Sequence, residues 1–277
     1  MDADPGLFGP DSVTWRVHGD PMMWVAGLRA LYLQALHPRA MWGVYQNSDF
    51  KTDPWGRLMR TADYVGVVTY GTGERVDRAA THLRRLHSRL RGHDPDTDES
   101  YRLDEPDLLR WVHCCEADSF LTTMCRAGMR LTDEEADQYV AEQRTSATLV
   151  GLDAEDVPGD VEELRTYFET VRPELRTTRE ARRAAFFVLA PPMPPLVSVS
   201  PARPAWAAVA SLAFALMPRW ARRMYGAPGL PTTDLTATVS AAAMRRSLTV
   251  LPPSLRDGPH LKGAKRRLQE PAGSGGG

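Results

Sequence analysis

The chain has 277 residues, 43% of them hydrophobic and 25% charged, enough to bury a substantial core in one domain. Thirty-four basic residues against thirty-five acidic ones leave a formal charge of -1, so no global field would draw in nucleic acid or an anionic membrane. Function must then come from a local site.

The opening MDADPGLFGPDS is acidic and rich in Gly and Pro, and no basic segment leads into an apolar run. It does not read as a secretion signal, so a cytoplasmic location is expected. Asp20-Pro21 reads as the N-cap and first position of a helix running to about Leu36, where His37-Pro38 breaks the pattern; a second segment continues to Tyr45. Asp53-Pro54 repeats the start signal and opens a helix to about Tyr70, ended by GTG; Glu74 to Leu90 forms the next, stopped at Gly92. Glu105-Pro106 begins another, to about Cys125. Further helices fit 132–147, 159–173, 178–189, 203–225 and 232–250, and little period-2 alternation is visible.

The expected fold is therefore all-α, a single domain of about ten helices over residues 1–255, with a flexible tail from 256 to 277 ending in QEPAGSGGG. Residues 190–204, APPMPPLVSVSPARP, form a Pro-rich connector. The longest apolar run, Pro204 to Pro218, is shorter than the roughly 18 residues a bilayer crossing needs, so it is expected to be a buried helix and no transmembrane segment is expected. Cys114, Cys115 and Cys125 share one helix without zinc or redox spacing and read as small core residues. Asp133 to Glu142 reads as a solvated acidic face.

Placed at 100° per residue, Val76, Ala79, Ala80, Leu83, Leu86 and Leu90 form an apolar stripe with His87 inside it. A buried imidazole needs a partner, because an unpaired polar group in apolar surroundings costs roughly 1 to 3 kcal/mol. A backbone carbonyl would do, and so would a metal or haem iron. His113 falls on the apolar side of its own helix with Leu109, Ala117, Phe120 and Met124. His37 stands at a helix break, where it can satisfy free backbone groups. His18, His82, His93 and His260 are placed in loops or on flanks, with no chemistry assigned. Arg57, Arg60 and Thr61 share one helical face; guanidinia turned inward would demand anions, whereas surface arginines would not. Signatures of nucleotide folds, serine hydrolases, zinc proteases and di-iron bundles are absent.

The run VHGDPMMWVAGLRALYLQALHPRAMWGVYQNSDFKTDPWGRLMRTADYVGVVTYG, followed by LRRLHSRLRGHDP, DEPDLLRWVHCCEADSFL, LTDEEADQYVAE, LVGLD, LMPRWARRMYG and LPPSLR, resembles the MpaB-like oxygenase family, related to the rubber oxygenase (latex clearing protein) catalytic domain. The resemblance covers roughly residues 13 to 255. It implies an all-α domain binding haem b, with one histidine on the iron: RLHSRLR points to His87, with His113 as the second choice. RLMRT matches an Arg-x-x-Lys-Thr group at Arg57 and Thr61 and departs from it at Arg60. Arginine does not lose its proton to ligate iron, so Arg60 is expected to meet a propionate or bound oxygen and, with Thr61, to serve catalysis. Arg57, Arg60, His87, His113 and His37 make up the expected cofactor-binding set, His37 and His113 being candidates for a distal ligand.

The expected activity is oxygenation or oxidation of a hydrophobic small molecule by molecular oxygen or peroxide, in a setting of specialised metabolism; a non-catalytic haem sensor or carrier is the alternative. Trp24, Leu28, Met41, Trp42, Phe120 and Met124 are expected in the pocket or core.

Overall fold

A computed structural model describes residues 4–193 and 200–269. Among them the chain is all-α and single-domain, with fourteen α-helices and one two-stranded hairpin. The count exceeds the expected ten because one long helix is broken and several short ones escape the periodic pattern.

Local start signals explain most helix boundaries. Asp53 accepts from the backbone N–H of Gly56 and opens α4 (Pro54–Tyr70), with Pro54 at its first position. Thr178 caps α9 (Arg179–Leu189) in the same way. Thr132 and Glu135 form a reciprocal capping box at the start of α7 (Asp133–Val150), and Gly151 ends it at φ 103°, a left-handed conformation that favours glycine. At the chain's beginning Asp20 behaves differently from expectation. Helix α2 (Met23–Gln34) starts three residues later, because one Asp20 oxygen accepts from the Met22 N–H while the other is held by Arg245 at 2.7 Å.

The core is built on α2 packed along α6 (Pro106–Arg126), with α10 (Ala202–Ala215) against α2 and α12 (Pro231–Thr249) outside α10. Val25, Leu28, Leu33, Trp111, Cys114, Cys115 and Met124 are buried here. Cys125, expected in the core with its two neighbours, is exposed. Trp24 is 47% exposed and belongs to neither pocket nor core, whereas Trp42 is buried with its indole N–H donating to Glu180.

The apolar run from Pro204 does not continue to residue 225. It ends at Ala215, and α11 (Arg219–Met224) follows after Pro218, whose ring and missing N–H prevent continuation. Three guanidinia cover the carbonyls this break frees. Arg29 and Arg126 both donate to the Leu216 carbonyl, and Arg222 donates to Ala215 and Met217. Arg29 also holds Asp118 at 2.8 Å, and Arg222 holds Asp234 at 2.5 Å. No helix of the described residues is long and apolar enough to cross a membrane.

Residues 91–102 form an antiparallel hairpin, Arg91–Asp94 with Glu99–Arg102, turned by Asp98 at φ 61°. The flexible tail expected from residue 256 does not begin there. Helix α14 (Pro259–Gln269) docks back, burying Leu261 and Ala264 against Trp15 and Tyr70, while His260 meets Asp63 of α4 at 2.8 Å. Of the expected QEPAGSGGG end, residues 270–277 lie outside the described residues.

Candidate functional site

A cavity of about 750 Å³ lies between α4, α5 (Gly73–Arg89), α6 and the adjoining faces of α2, α3 (Pro38–Asn47) and α9. Its walls are mainly apolar, among them Leu28, Met41, Leu58, Val65, Leu83 and Phe120. The volume falls within the range of small-molecule and cofactor pockets.

Helix α5 shows why its stripe faces this space. Only Val76 and Ala80 are buried, near the N-terminal half. Ala79, Leu83, Leu86 and His87 line the cavity, with Leu86 45% exposed. A helix that looked sequence-wise like a core element is therefore a cavity wall. His87 Nδ1 is buried without a hydrogen-bond partner, and the ring makes no hydrogen bond among the described residues. Burial lowers its pKa, with Asp104 opposing, which favours the neutral imidazole, and one nitrogen of that form carries a lone pair able to ligate.

His113, from α6, lines the same cavity. Desolvation lowers its pKa to about 4, and it too is neutral near pH ~7. One turn further along α6 stands Glu116, which sequence reasoning passed over. Its carboxyl meets Gln34 Nε2 at 3.4 Å and has no ion-pair partner among the described residues, so burial pushes its pKa up to about 7. The signal was legible: Glu116 lies three positions from His113 and four from Phe120, on the same helical face. The Tyr64 hydroxyl, also on the cavity wall, is buried and unpartnered, and its pKa is pushed up to about 12 by burial, then by the charge of Glu116.

His18, expected in a loop or on a flank, ends α1 (Val13–His18) and lines the cavity. Thr69 donates to the Val65 carbonyl, so His18 Nδ1–H must donate to Thr69 Oγ1 at 2.8 Å, leaving Nε2 to accept from Tyr139 at 3.1 Å. Both ring nitrogens are thus used, and burial lowers the pKa to about 3. His18 is a structural histidine. Its helix is held by Glu142, which accepts from the N–H groups of Val13 and Thr14, so part of the acidic face expected in solvent serves as a cap. His82, also expected in a loop or on a flank, borders the cavity as well.

The arginine face divides. Arg57 lines the cavity and has no hydrogen bond or ion pair among the described residues; burial, then the nearby Arg60, lowers its pKa. Arg60 lies at the rim, exposed, 3.2 Å from Asp53. Thr61 also borders the cavity, exposed, its hydroxyl donating to the Arg57 carbonyl at 3.1 Å. His37 stands apart from this lining: its Nδ1 accepts from Ala40 N–H as the N-cap of α3, and its Nε2 is 3.9 Å from Glu174. Met124 is core, not cavity. The structure thus gathers Arg57, Arg60, Thr61, His87 and His113 around one space and leaves His37 outside.

Among the described residues, no three His, Cys, Asp or Glu side chains form a cage for a bare metal ion. A cofactor that carries most of its own metal ligands and asks for one imidazole suits this donor set better. Unpaired Arg57 suits a group that also brings carboxylates.

A family model described as ER-bound oxygenase mpaB/B'/Rubber oxygenase, catalytic domain, matches residues 15–262. No curated protein and no solved structure matches the chain.

Proposed function

The chain belongs to the mpaB/rubber oxygenase catalytic-domain family, and on that premise we propose that it is a haem b-dependent oxygenase or oxidase acting on a hydrophobic small molecule. The observation that carries the reading is one largely apolar cavity whose wall holds a neutral, partnerless His87 and an unpaired Arg57. A buried nitrogen left without a partner costs free energy unless a ligand supplies one.

His87 is the residue to hold the iron, with His113 as the alternative on the facing helix. Arg57 is the anchor for propionate carboxylates, and Arg60, already shared with Asp53, is available at the rim for a second. Bound there, haem supplies the redox chemistry that activates oxygen or peroxide. The protein's own part is to exclude water with the apolar walls, hold the imidazole neutral, and keep Glu116 as a carboxyl near its midpoint, able to give or accept a proton near pH ~7. The substrate faces Leu58, Val65, Leu83 and Phe120, which offer contact area and few hydrogen bonds. A setting in specialised metabolism and a cytoplasmic location remain part of this reading.

The test is cofactor content. Protein purified from a haem-sufficient host should show a Soret band at about one haem per chain. His87→Ala should strip or shift that band, and His113→Ala should leave it. The reverse pattern would transfer the axial role to His113, while a folded chain without haem would end the reading. Oxygen-dependent turnover then separates an enzyme from a haem carrier.

A further inference from the structure

Behind one wall of the cavity lies a second concavity of different character, a surface cleft of about 590 Å³. Arg179, Arg182, Arg183 and Phe186 recur along α9 at i, i+3, i+4 and i+7, so they occupy one face of that helix. Lys51, from the short turn Asp49–Lys51, closes the cleft from the other side. None of these four cations is paired with a carboxylate among the described residues. Lys51 lies over the Tyr45 ring at 3.5 Å, and Arg183 donates to the Tyr45 hydroxyl at 2.8 Å.

Four like charges gathered in one cleft repel one another, and the chain as a whole is nearly neutral, so the cluster does not follow from an overall basic composition. Many arginines elsewhere in this chain hold carboxylates, including Arg39, Arg102, Arg165 and Arg219. Guanidinia converging on a concave surface favour an anion with forked oxygens, carboxylate or phosphate. The remaining walls, Tyr45, Phe186 and Phe187, are aromatic.

Phe187 borders both the cleft and the main cavity. Its ring packs edge-on against Phe50, another cavity residue, at 5.6 Å, and Phe50 in turn meets Tyr45 at 5.9 Å. One aromatic layer therefore separates a cationic cleft from an apolar chamber. We propose that the cleft is the head-group subsite for an amphipathic anion, a carboxylate or phosphate monoester on an apolar chain, whose chain extends past Phe187 into the cavity. This narrows the substrate class of the cavity and rests on its reading as the substrate pocket.

The experiment is equilibrium binding by calorimetry on the purified full chain, with laurate, dodecyl phosphate, uncharged dodecanol and short butyrate as probes. Laurate or dodecyl phosphate should bind about tenfold tighter than dodecanol, and the tighter of the two assigns the head. Arg179→Gln combined with Arg182→Gln, both exposed and free of side-chain bonds to described residues, should abolish that preference without unfolding the chain, as raised salt should weaken it. Butyrate should bind at least about tenfold more weakly than laurate, since each buried methylene adds affinity. Equal binding of laurate and dodecanol, or a preference that survives the double substitution, overturns the head-group assignment; equal binding of butyrate and laurate overturns the extension into the cavity. These readouts do not use haem. A haem-free chain that keeps the preference refutes the oxygenase reading alone, and a haem-loaded chain indifferent to head charge refutes this inference alone.

Discussion

Replacing Glu116 with Gln tests whether a lone carboxyl really faces the cavity. In the folded, cofactor-free chain its pKa rises from the ordinary 4.5 to about 7, because burial removes water and the only hydrogen bond is the long one from Gln34. A raised acid favours its neutral form in the native state. Its contribution to stability is therefore complete below about pH 4.5 and is lost as pH climbs through about 7. Each pH unit between those limits corresponds to about 1.4 kcal/mol, so the full effect is roughly 3 kcal/mol, less whatever water in the cavity restores. Glutamine keeps the shape and cannot ionise. Urea unfolding of both proteins at about pH 5 and about pH 8 should show Glu116→Gln gaining roughly 2 kcal/mol on the parent at the higher pH relative to the lower. The neutral histidines His18, His37 and His113 push the other way, losing stability as pH falls below about 6.5, but they are common to both proteins and cancel in the difference. A difference that does not change with pH would refute the buried carboxyl.

Arg222→Ala should destabilise the chain by roughly 3 to 5 kcal/mol in the same assay, since it strips two carbonyl partners and one carboxylate partner from a fully buried cation. Gly66→Ala should drive a methyl group into the His260 ring, break its bond to Asp63 and speed amide exchange across Pro259–Gln269 while the α2–α6 core stays protected. Arg57→Met should lower haem retention yet leave the cofactor-free protein as stable as the parent or more so, because it removes a desolvated charge with no partner; a loss above about 1 kcal/mol would mean a structural role.

Helix starts could be read from sequence because capping is local: Asp53-Pro54 and Thr132-x-x-Glu135 carry their own hydrogen-bond partners within one turn. The break at Leu216 could not, because it depends on Arg29, 187 residues away, to satisfy its carbonyl. Helix α14 was missed for a related reason: its mean hydropathy is low, and its two buried residues find their partners on Trp15 and Tyr70 near the chain's other end. His87 and His113 were found because each lies on an apolar face. His18 was missed because its helix is six residues long, too short for periodicity to register. What periodicity cannot tell is whether an apolar face meets side chains or empty space, and α5 is the instance that matters.

Unsatisfied polar groups occur in both scaffold and site, but those at the cavity face one shared space. In the core, Arg29 is bonded to Leu216, Asp118 and Ser119; on the cavity wall, His18 uses both ring nitrogens. Orphan atoms also occur outside the cavity, namely Thr123 Oγ1 and the Nε of Arg110, Arg172 and Arg222, the last on a guanidinium whose two terminal nitrogens are bonded. Elsewhere on the cavity wall, His87 Nδ1 and the Tyr64 hydroxyl are buried without partners, Arg57 has no hydrogen bond or ion pair among the described residues, and Glu116 has only one distant amide. Each such group costs roughly 1 to 3 kcal/mol when it is left dry. Arg29 shows that this fold can satisfy a buried group across 187 residues of sequence separation, so the sparsely bonded groups at the cavity are the ones that the proposed cofactor, an iron carrying carboxylates, would meet.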